Sequence, residues 1–173
     1  MTGTEIERKF LVDTTGETYK KLAHKSYRIC QGYIARTSGK TVRVRIRDNQ
    51  GFLTIKGPSA DGIGRYEFEK EITLEEANDL MKLCEGGVVD KTRYLVASPD
   101  GKHTFEVDEF HGDNDGLVMA EVELGAADEP YTKPDFVVWE VTGDMRFYNS
   151  NLLVNPFKNW KNQLFAASCE AKG

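Results

Sequence analysis

Residues that build disulfide bonds or zinc sites are scarce in this sequence. It has three cysteines and three histidines, namely Cys30, Cys84, Cys169, His24, His103 and His111. None of their spacings resembles a zinc-binding motif, and an odd number of distant cysteines is typical of free thiols in a reducing compartment. We therefore expect all six to have ordinary core or surface roles.

Long apolar runs and an excess of positive charge are missing as well. No segment approaches the roughly 18 apolar residues of a membrane span, and none resembles a signal peptide, so we expect a cytoplasmic protein without membrane association. The net charge of −5 argues against general nucleic-acid binding, which relies on basic residues. A length of 173 residues, 39% of them hydrophobic, predicts one globular domain over residues 1–173.

Two common motifs for phosphate and acyl chemistry are also absent. Residues 86–92 (GGVVDKT) contain the Lys-Thr pair of a P-loop but lack the glycine immediately before Lys91. A strand-like segment follows them, where a P-loop would open a helix. No Gly-x-Ser-x-Gly nucleophile elbow is present.

The sequence instead contains a series of segments in which charged and apolar residues alternate. Period-two alternation predicts β-strands, because neighbouring strand residues point to opposite faces. Seven segments show it, at residues 5–12, 41–47, 51–56, 66–72, 90–96, 103–108 and 117–124. A capping box from Thr73 to Glu76 starts a helix that should end at Gly86, another should begin near Pro156, and residues 17–23 are weakly helical. These features predict an α+β protein, mainly antiparallel sheet with helices packed outside.

The charged faces of these strands are segregated by sign. Arg43, Arg45 and Arg47 share one strand face, where like charges about 7 Å apart repel each other. Three other strands carry acidic pairs at i, i+2, which supply oxygen ligands for hard cations such as Mg²⁺ or Mn²⁺. These pairs are Glu5 with Glu7, Glu67 with Glu69, and Glu121 with Glu123. If the sheet closes with its charged face inside, a metal-bound polyphosphate would compensate both signs.

These residues closely resemble the motifs of the CYTH family, the triphosphate tunnel metalloenzymes. Glu5-Ile6-Glu7-Arg8-Lys9 resembles the Glu-x-Glu-x-Lys hallmark of the family's first strand. Further matches are Gln31-Gly32-Tyr33, Arg43 with Arg45, Thr54-Ile55-Lys56-Gly57, Glu67 with Glu69, Lys91-Thr92-Arg93-Tyr94, Asp108, Glu121 with Glu123, and a C-terminal segment with Glu140, Asp144, Arg146, Tyr148 and Asn149. The resemblance covers about residues 4–156.

The resemblance implies a closed, eight-stranded, tunnel-like barrel with a charged lumen. It also implies a hydrolase acting on phosphoric anhydrides, and we expect metal-dependent hydrolysis of inorganic triphosphate to pyrophosphate and phosphate. Other members cyclise ATP or hydrolyse thiamine triphosphate or RNA 5′-triphosphates. Adenylate cyclase and thiamine or nucleoside triphosphatase are therefore alternatives. The non-enzymatic alternatives are a polyphosphate-binding module and a purely structural β-protein. A homodimer is possible for any of these functions.

The resemblance also divides the expected site residues into three groups. The metal ligands for Mg²⁺ or Mn²⁺ would be Glu5, Glu7, Glu121 and Glu123. The residues that bind the triphosphate would be Lys9, Arg43, Arg45, Arg47, Lys56, Lys91, Arg93 and Arg146. The catalytic candidates are Lys9, Tyr33, Glu67, Glu69 and Asp108, and one of the three carboxylates among them would orient the attacking water.

Overall fold

Nine β-strands form the framework of the part of the chain that the structure describes. The computed structural model describes residues 2–58 and 64–164, of which residues 2–5 and 64 are described by their backbone alone. In chain order the strands are β1 Thr2–Val12, β2 Lys25–Thr37, β3 Lys40–Arg47, β4 Gln50–Lys56, β5 Gly64–Ile72, β6 Glu85–Ala97, β7 Thr104–Phe110, β8 Val118–Glu123 and β9 Val137–Glu140. The seven strands predicted from alternation are confirmed. Alternation did not predict β2, where polar and apolar residues share a face, or the short β9.

All nine strands belong to one sheet with the order β5-β4-β3-β2-β6-β7-β8-β1-β9. Strand β1 pairs with β8 along Glu7–Leu11. Its other edge is divided, because Thr2–Ile6 pairs with β5 and Phe10–Val12 pairs with β9. The sheet therefore curves until β1, which pairs with β8, also meets β5 at the other end of the strand order.

Over the described residues, the sheet does not close into the expected eight-stranded barrel. The described pairing between β1 and β5 reaches Ile6, and a ninth strand pairs with the C-terminal part of the same β1 edge, at Phe10–Val12. A bulge between Leu11 and Val12 accompanies the pairing with β9. The coarser prediction, an α+β fold dominated by antiparallel strands with few helices, is confirmed.

Strands β1, β7 and β8 each have one apolar and one charged face. Their apolar residues form a core that is covered by the segments around Tyr19 and Phe136. The strand residues of this core are Phe10, Phe105, Val107, Val118, Ala120 and Val122. The alternate residues, including Lys9 and Glu121, point to the opposite face. Burial of one face thus places the charges on the concave side of the sheet.

A second core covers one end of this charged face. Val89, Phe110 and Met119 lie two residues from Lys91, Asp108 and Glu121 on their strands, and therefore share their face. The C-terminal residues Phe147, Leu152, Phe157 and Trp160 pack on them. This packing brings residues 141–151 to the wall of the charged space.

The described helices lie outside the sheet or at its end. They are α1 Thr18–Leu22, α2 Leu74–Met81 and α3 Asn149–Val154. The predicted capping box is confirmed, since Glu76 N donates to Thr73 Oγ1 at 3.0 Å and Thr73 N donates to Glu76 Oε1 at 2.9 Å. Helix α2 ends before Gly86 because β6 already begins at Glu85. The helix predicted near Pro156 is preceded by α3 and starts as a 3₁₀ turn, Phe157–Asn159. In the described ranges, no helix is long and apolar enough to cross a membrane.

Helix α2 packs on β4 through a contact that requires glycine. A Cβ atom on Gly51 would lie 2.6 Å from Ala77 Cβ and 3.0 Å from Thr73 O. We expect Gly51→Ala to lower the free energy of unfolding by about 1–3 kcal/mol, as overpacking of a core typically does. Urea denaturation of the variant and the wild type measures the difference.

The matched control adds Ala77→Gly, which removes the methyl group that the new Cβ would meet. If this contact is the cause, the double variant should be more stable than the sum of the two single losses predicts. Additive losses would contradict the assignment.

Candidate active site

The concave face of the sheet and residues 141–151 enclose a cavity of about 1030 Å³. It follows the whole of β3, from Lys40 to Arg47. Its described lining includes nine basic and six acidic side chains, although the chain as a whole has a net charge of −5. The basic ones are Lys9, Arg36, Lys40, Arg43, Arg45, Arg47, Lys56, Arg65 and Arg93, and the acidic ones are Glu7, Glu67, Glu69, Glu106, Glu121 and Glu123. The cavity therefore has the excess of positive charge that a polyanion requires.

The two central arginines of β3 are not fully compensated by the protein. Arg45 Nε donates to Gln31 Oε1 at 2.8 Å, so its partner in this bond is a neutral amide. Burial and the nearby Arg43 and Arg93 lower the pKa of Arg45 to about 9. Arg43 Nη2 donates to Thr54 Oγ1 at 3.2 Å, while its Nε is buried without a partner in the described structure. Both guanidinium groups would gain from a bound anion.

Acidic residues of the neighbouring strands β1 and β8 lie directly opposite each other in the sheet. Glu7 is the register partner of Glu123, and Lys9 is the register partner of Glu121. Lys9 Nζ lies 2.9 Å from Glu121 Oε1 and 3.4 Å from Glu7 Oε1. Burial opposes the charge on Lys9, but Glu121 and Glu7 raise its pKa overall. Burial likewise opposes the charge on Glu121, while Lys9, Arg93 and Lys91 hold its pKa well below the usual range. The lysine thus stabilises the ionised form of Glu121 and holds the two carboxylates close together.

The donor chemistry of this region fits a hard divalent cation. Glu7, Glu121 and Glu123 supply carboxylate oxygens, the ligands that Mg²⁺ and Mn²⁺ prefer. Opposed carboxylates such as Glu7 and Glu123 also repel each other unless a cation lies nearby. The described side chains contain no group of three or more acidic, histidine or cysteine ligands already assembled around one point. The fourth predicted ligand, Glu5, has a side chain outside the described atoms.

Lys91 and Asp108 are buried behind the cavity wall rather than on it. Asp108 Oδ1 accepts from Arg93 Nε at 2.7 Å, and its Oδ2 accepts from Arg93 Nη2 at 2.9 Å and from Lys91 Nζ at 2.7 Å. Lys91 Nζ also donates to Asn149 Oδ1 at 3.0 Å. Burial alone would raise the pKa of Asp108, but Arg93 and Lys91 lower it. Burial lowers the pKa of Lys91, despite Asp108.

This position bears on two of the sequence-based predictions. Asp108 is 1% exposed and accepts hydrogen bonds from two cationic side chains, so the structure places it behind the wall of the cavity, where the sequence predicted a candidate for orienting the attacking water. Lys91 is 0% exposed and does not line the cavity, so it cannot touch a substrate there in this arrangement. Both residues instead hold Arg93, which does line the cavity.

The two acidic residues of β5 lie on the cavity wall, as their alternation predicts. Glu69 Oε1 accepts from Thr54 Oγ1 at 3.4 Å, and Glu67 Oε2 lies 3.9 Å from Lys56 Nζ. Tyr33 also lines the cavity, and its hydroxyl accepts from Gln31 Nε2 at 3.4 Å. These residues are therefore within the same space as the central arginines.

Arg146 lies outside this space, although the sequence placed it with the substrate. Its Nη2 is 2.6 Å from Asp144 Oδ2, and its guanidinium lies over the rings of Phe147 and Trp160 at 5.4 and 5.3 Å. The 3₁₀ turn Met145–Phe147 directs Phe147 into the second core, which leaves Arg146 at the surface.

Sequence reasoning missed several residues that the fold brings to the cavity. Glu106 lies two residues before Asp108 on β7, forms an ion pair with Arg93, and has a pKa that burial raises. The alternation of β7 carries the signal that could have identified it. Arg65 donates to Gly57 O at 2.9 Å and Gly39 O at 2.6 Å, and Arg36 donates to Ser150 O at 2.6 Å. These bonds join separate segments around the cavity, so no local pattern predicts them.

The fold and the site together define an antiparallel-sheet protein whose concave face holds a cation-rich cavity edged by carboxylates. The chain belongs to the CYTH family, since the CYTH domain matches residues 3–148. This confirms the resemblance inferred from the sequence motifs.

Two curated relatives are similar to this chain over almost their whole length. An inorganic triphosphatase of Acetivibrio thermocellus is 49% identical over 160 residues, covering 92% of this chain and 99% of the relative. An inorganic triphosphatase of Nitrosomonas europaea is 36% identical over 157 residues, covering 88% and 98%.

Solved structures show the same architecture. A crystal structure of an inorganic triphosphatase matches with a TM-score of 0.62 and 32% identity, covering 87% of this chain and 98% of that one. A protein from Pyrococcus horikoshii shares the fold with a TM-score of 0.56 and 24% identity, covering 72% and 80%.

The buried position of Asp108 leads to a stability prediction. Asp108→Ala should lower the free energy of unfolding by about 3–5 kcal/mol, because it leaves the buried Lys91 without a carboxylate partner and removes both Asp108 hydrogen bonds of Arg93. Chemical denaturation at neutral pH measures this loss.

Glu106→Ala is the matched control, since Glu106 lies on the same face of β7 and also pairs with Arg93 but is more exposed. It should cost about 1 kcal/mol or less, as a partly solvated ion pair does. Equal losses for both variants would contradict the role given to Asp108.

Proposed function

We propose that this protein hydrolyses inorganic triphosphate to pyrophosphate and phosphate in the charged cavity, with Mg²⁺ or Mn²⁺. The observation that carries the proposal is the pair of central arginines, Arg43 and Arg45, whose charge the protein itself leaves largely uncompensated. Two relatives named inorganic triphosphatase, similar over nearly their full length, support this choice of substrate.

The cavity residues would bind the phosphate chain and stabilise the charge that develops on it. Phosphoryl transfer depends mainly on positioning and electrostatics, so a dense set of fixed cations is suitable equipment. The proposed contacts are made by Lys9, Arg43, Arg45, Lys56 and Arg93. Asp108 fixes both nitrogens on one edge of the Arg93 guanidinium, which orients it without reorganisation during the reaction.

The carboxylates of β1 and β8 are the proposed metal ligands. Glu7, Glu121 and Glu123 line the cavity, and Glu5 belongs to the same strand as Glu7. A divalent cation held there supplies positive charge that polarises a phosphoryl oxygen. Lys9 lies between Glu7 and Glu121 and orients both, so it links the metal ligands to the phosphate-binding side chains.

Glu67 and Glu69 are the proposed residues for orienting the attacking water. They line the cavity on β5, and Thr54 donates to Glu69. Tyr33 can position a phosphate or this water through its hydroxyl, which accepts a hydrogen bond from Gln31. The assignment leaves Asp108 with a positioning role.

The proposal also includes a tunnel-like enclosure of the site. Pairing of β1 with β5 supports a tunnel-like enclosure around the substrate. A single domain over residues 1–173, a cytoplasmic location and a homodimer stay predictions.

Phosphate release from a set of substrates tests the function. With Mg²⁺ or Mn²⁺ the protein should hydrolyse inorganic triphosphate in clear preference to pyrophosphate and p-nitrophenyl phosphate, because several basic strands line the cavity. Excess EDTA should abolish turnover, and adding the metal back should restore it.

Equal rates on all three substrates would contradict a site built for a phosphate chain. Full activity in EDTA would contradict the metal assignment. ATP and thiamine triphosphate belong in the same screen, and cyclic AMP as the main product from ATP would identify an adenylate cyclase instead.

Replacement of Arg45 separates function from fold. Arg45→Ala should lower kcat/KM for triphosphate about a hundredfold or more, the effect of losing one charge-stabilising contact. The unfolding free energy of the ligand-free protein should change by only about 1 kcal/mol. Relief of repulsion from Arg43 and Arg93 opposes the loss of the bond to Gln31. Enzyme kinetics and thermal melting on one preparation measure both effects.

The control is Arg28→Ala, which removes an arginine on the outside of the sheet that pairs with Asp90 and is 60% exposed. It should leave kcat/KM unchanged. Near-normal turnover of Arg45→Ala would remove Arg45 from the site. A melting temperature that falls in parallel with the rate would indicate a structural role.

A further inference from the structure

Arg47 fills a gap between two aromatic rings at the end of the cavity. It is the last residue of β3, and its guanidinium carbon lies 4.7 Å from the ring centroid of Tyr27 and 4.8 Å from that of Phe52. Because β3 lies between β2 and β4 in the sheet, the two rings come from strands on opposite sides of Arg47. A guanidinium at these distances makes a cation–π contact with each ring.

Polar contacts do not account for this position. Arg47 Nη2 donates to Gln50 Oε1 at 3.3 Å, a long bond to a neutral group. Its Nε is buried and has no hydrogen-bond partner in the described structure. Arg93 differs, since two short hydrogen bonds to Asp108 hold it. The contacts with the rings therefore hold the Arg47 side chain.

The distances from Arg47 to the two rings suit a flat ring placed at the same position. Aromatic pairs in proteins have centroid separations of about 4.5–7 Å, and both distances from Arg47 fall within this range. A nucleobase in place of the guanidinium would stack on Tyr27 and Phe52 in the same way. Arg45 lies two residues earlier on the same face, about 7 Å away, so phosphates bound at the central arginines lie within reach of a base in the gap.

We infer that Arg47 is a specificity-determining residue that occupies a latent nucleobase site and thereby favours inorganic triphosphate over nucleoside triphosphates. The inference rests on the proposed function, because it concerns the substrate choice of the same cavity. Arg47 acts by filling the space between the rings, and the central arginines bind the phosphates.

Kinetics of Arg47→Ala with ATP, UTP and inorganic triphosphate test this. The ratio of kcat/KM for ATP to that for triphosphate should rise about fivefold to 150-fold, the range that a base–aromatic stack of about 1–3 kcal/mol gives. The gain should be larger for ATP than for UTP, because a purine offers more stacking surface. Arg47→Gln should raise the same kcat/KM ratio. It replaces Arg47→Ala in the test if the alanine variant does not fold.

The double variant Arg47→Ala with Tyr27→Leu is the matched control. Loss of one ring should abolish most of the gain for ATP while triphosphate hydrolysis stays near that of Arg47→Ala. Parallel losses on all substrates would overturn the inference and make Arg47 a phosphate contact. An unchanged substrate ratio with a lower melting temperature would overturn it in favour of a structural role.

Failure of the proposed function is distinguishable from failure of this inference. Hydrolysis of triphosphate by the wild type is measured first. If it is absent, the shift in melting temperature caused by ATP, relative to that caused by triphosphate, is compared between wild type and Arg47→Ala. A larger relative shift with ATP in the variant supports the latent base site, and equal relative shifts overturn it.

Discussion

Uncompensated positive charge on the concave face of the sheet is the constraint on which the site depends. The chain has a net charge of −5, yet the described lining of its cavity carries more basic than acidic groups. Arg43, Arg45 and Arg93 lie close enough to lower the pKa of Arg45. Such an arrangement costs stability in the empty protein through like-charge repulsion. A polyanionic ligand removes this cost, so the same repulsion that weakens the fold favours binding.

The cations of the concave face differ in how the protein compensates them. Asp108 pairs with the buried Lys91 and, together with Glu106, compensates Arg93, while Lys9 is balanced by Glu121 and Glu7. These pairs fix side chains in place before any ligand arrives, which is the condition for electrostatic preorganisation. Arg43 and Arg45 bond to neutral groups, so the net attraction for phosphate is concentrated at the centre of β3.

Two apolar cores force this arrangement on the charged residues. One covers the outer face of β1, β7 and β8, so that the alternate, charged residues must face inward. The other seals one end of the inner face with the C-terminal segment, which brings Tyr148 and Asn149 to the cavity wall. The cores thus supply the burial energy that offsets the cost of gathering like charges.

The sequence by itself determined seven of the nine described strands, with the inward faces of the charged ones and the sign of their charge. Arg43 and Arg45, Glu67 and Glu69, and Glu121 and Glu123 all line the cavity as their alternation predicts. Only the tertiary structure decided depth and partnership: it buried Asp108 and Lys91 behind Arg93, left Arg146 outside against Asp144, and paired β9 with the C-terminal part of the β1 edge. Period-two alternation specifies a face. Burial and ion pairing depend on contacts between strands distant in sequence, which no local pattern encodes.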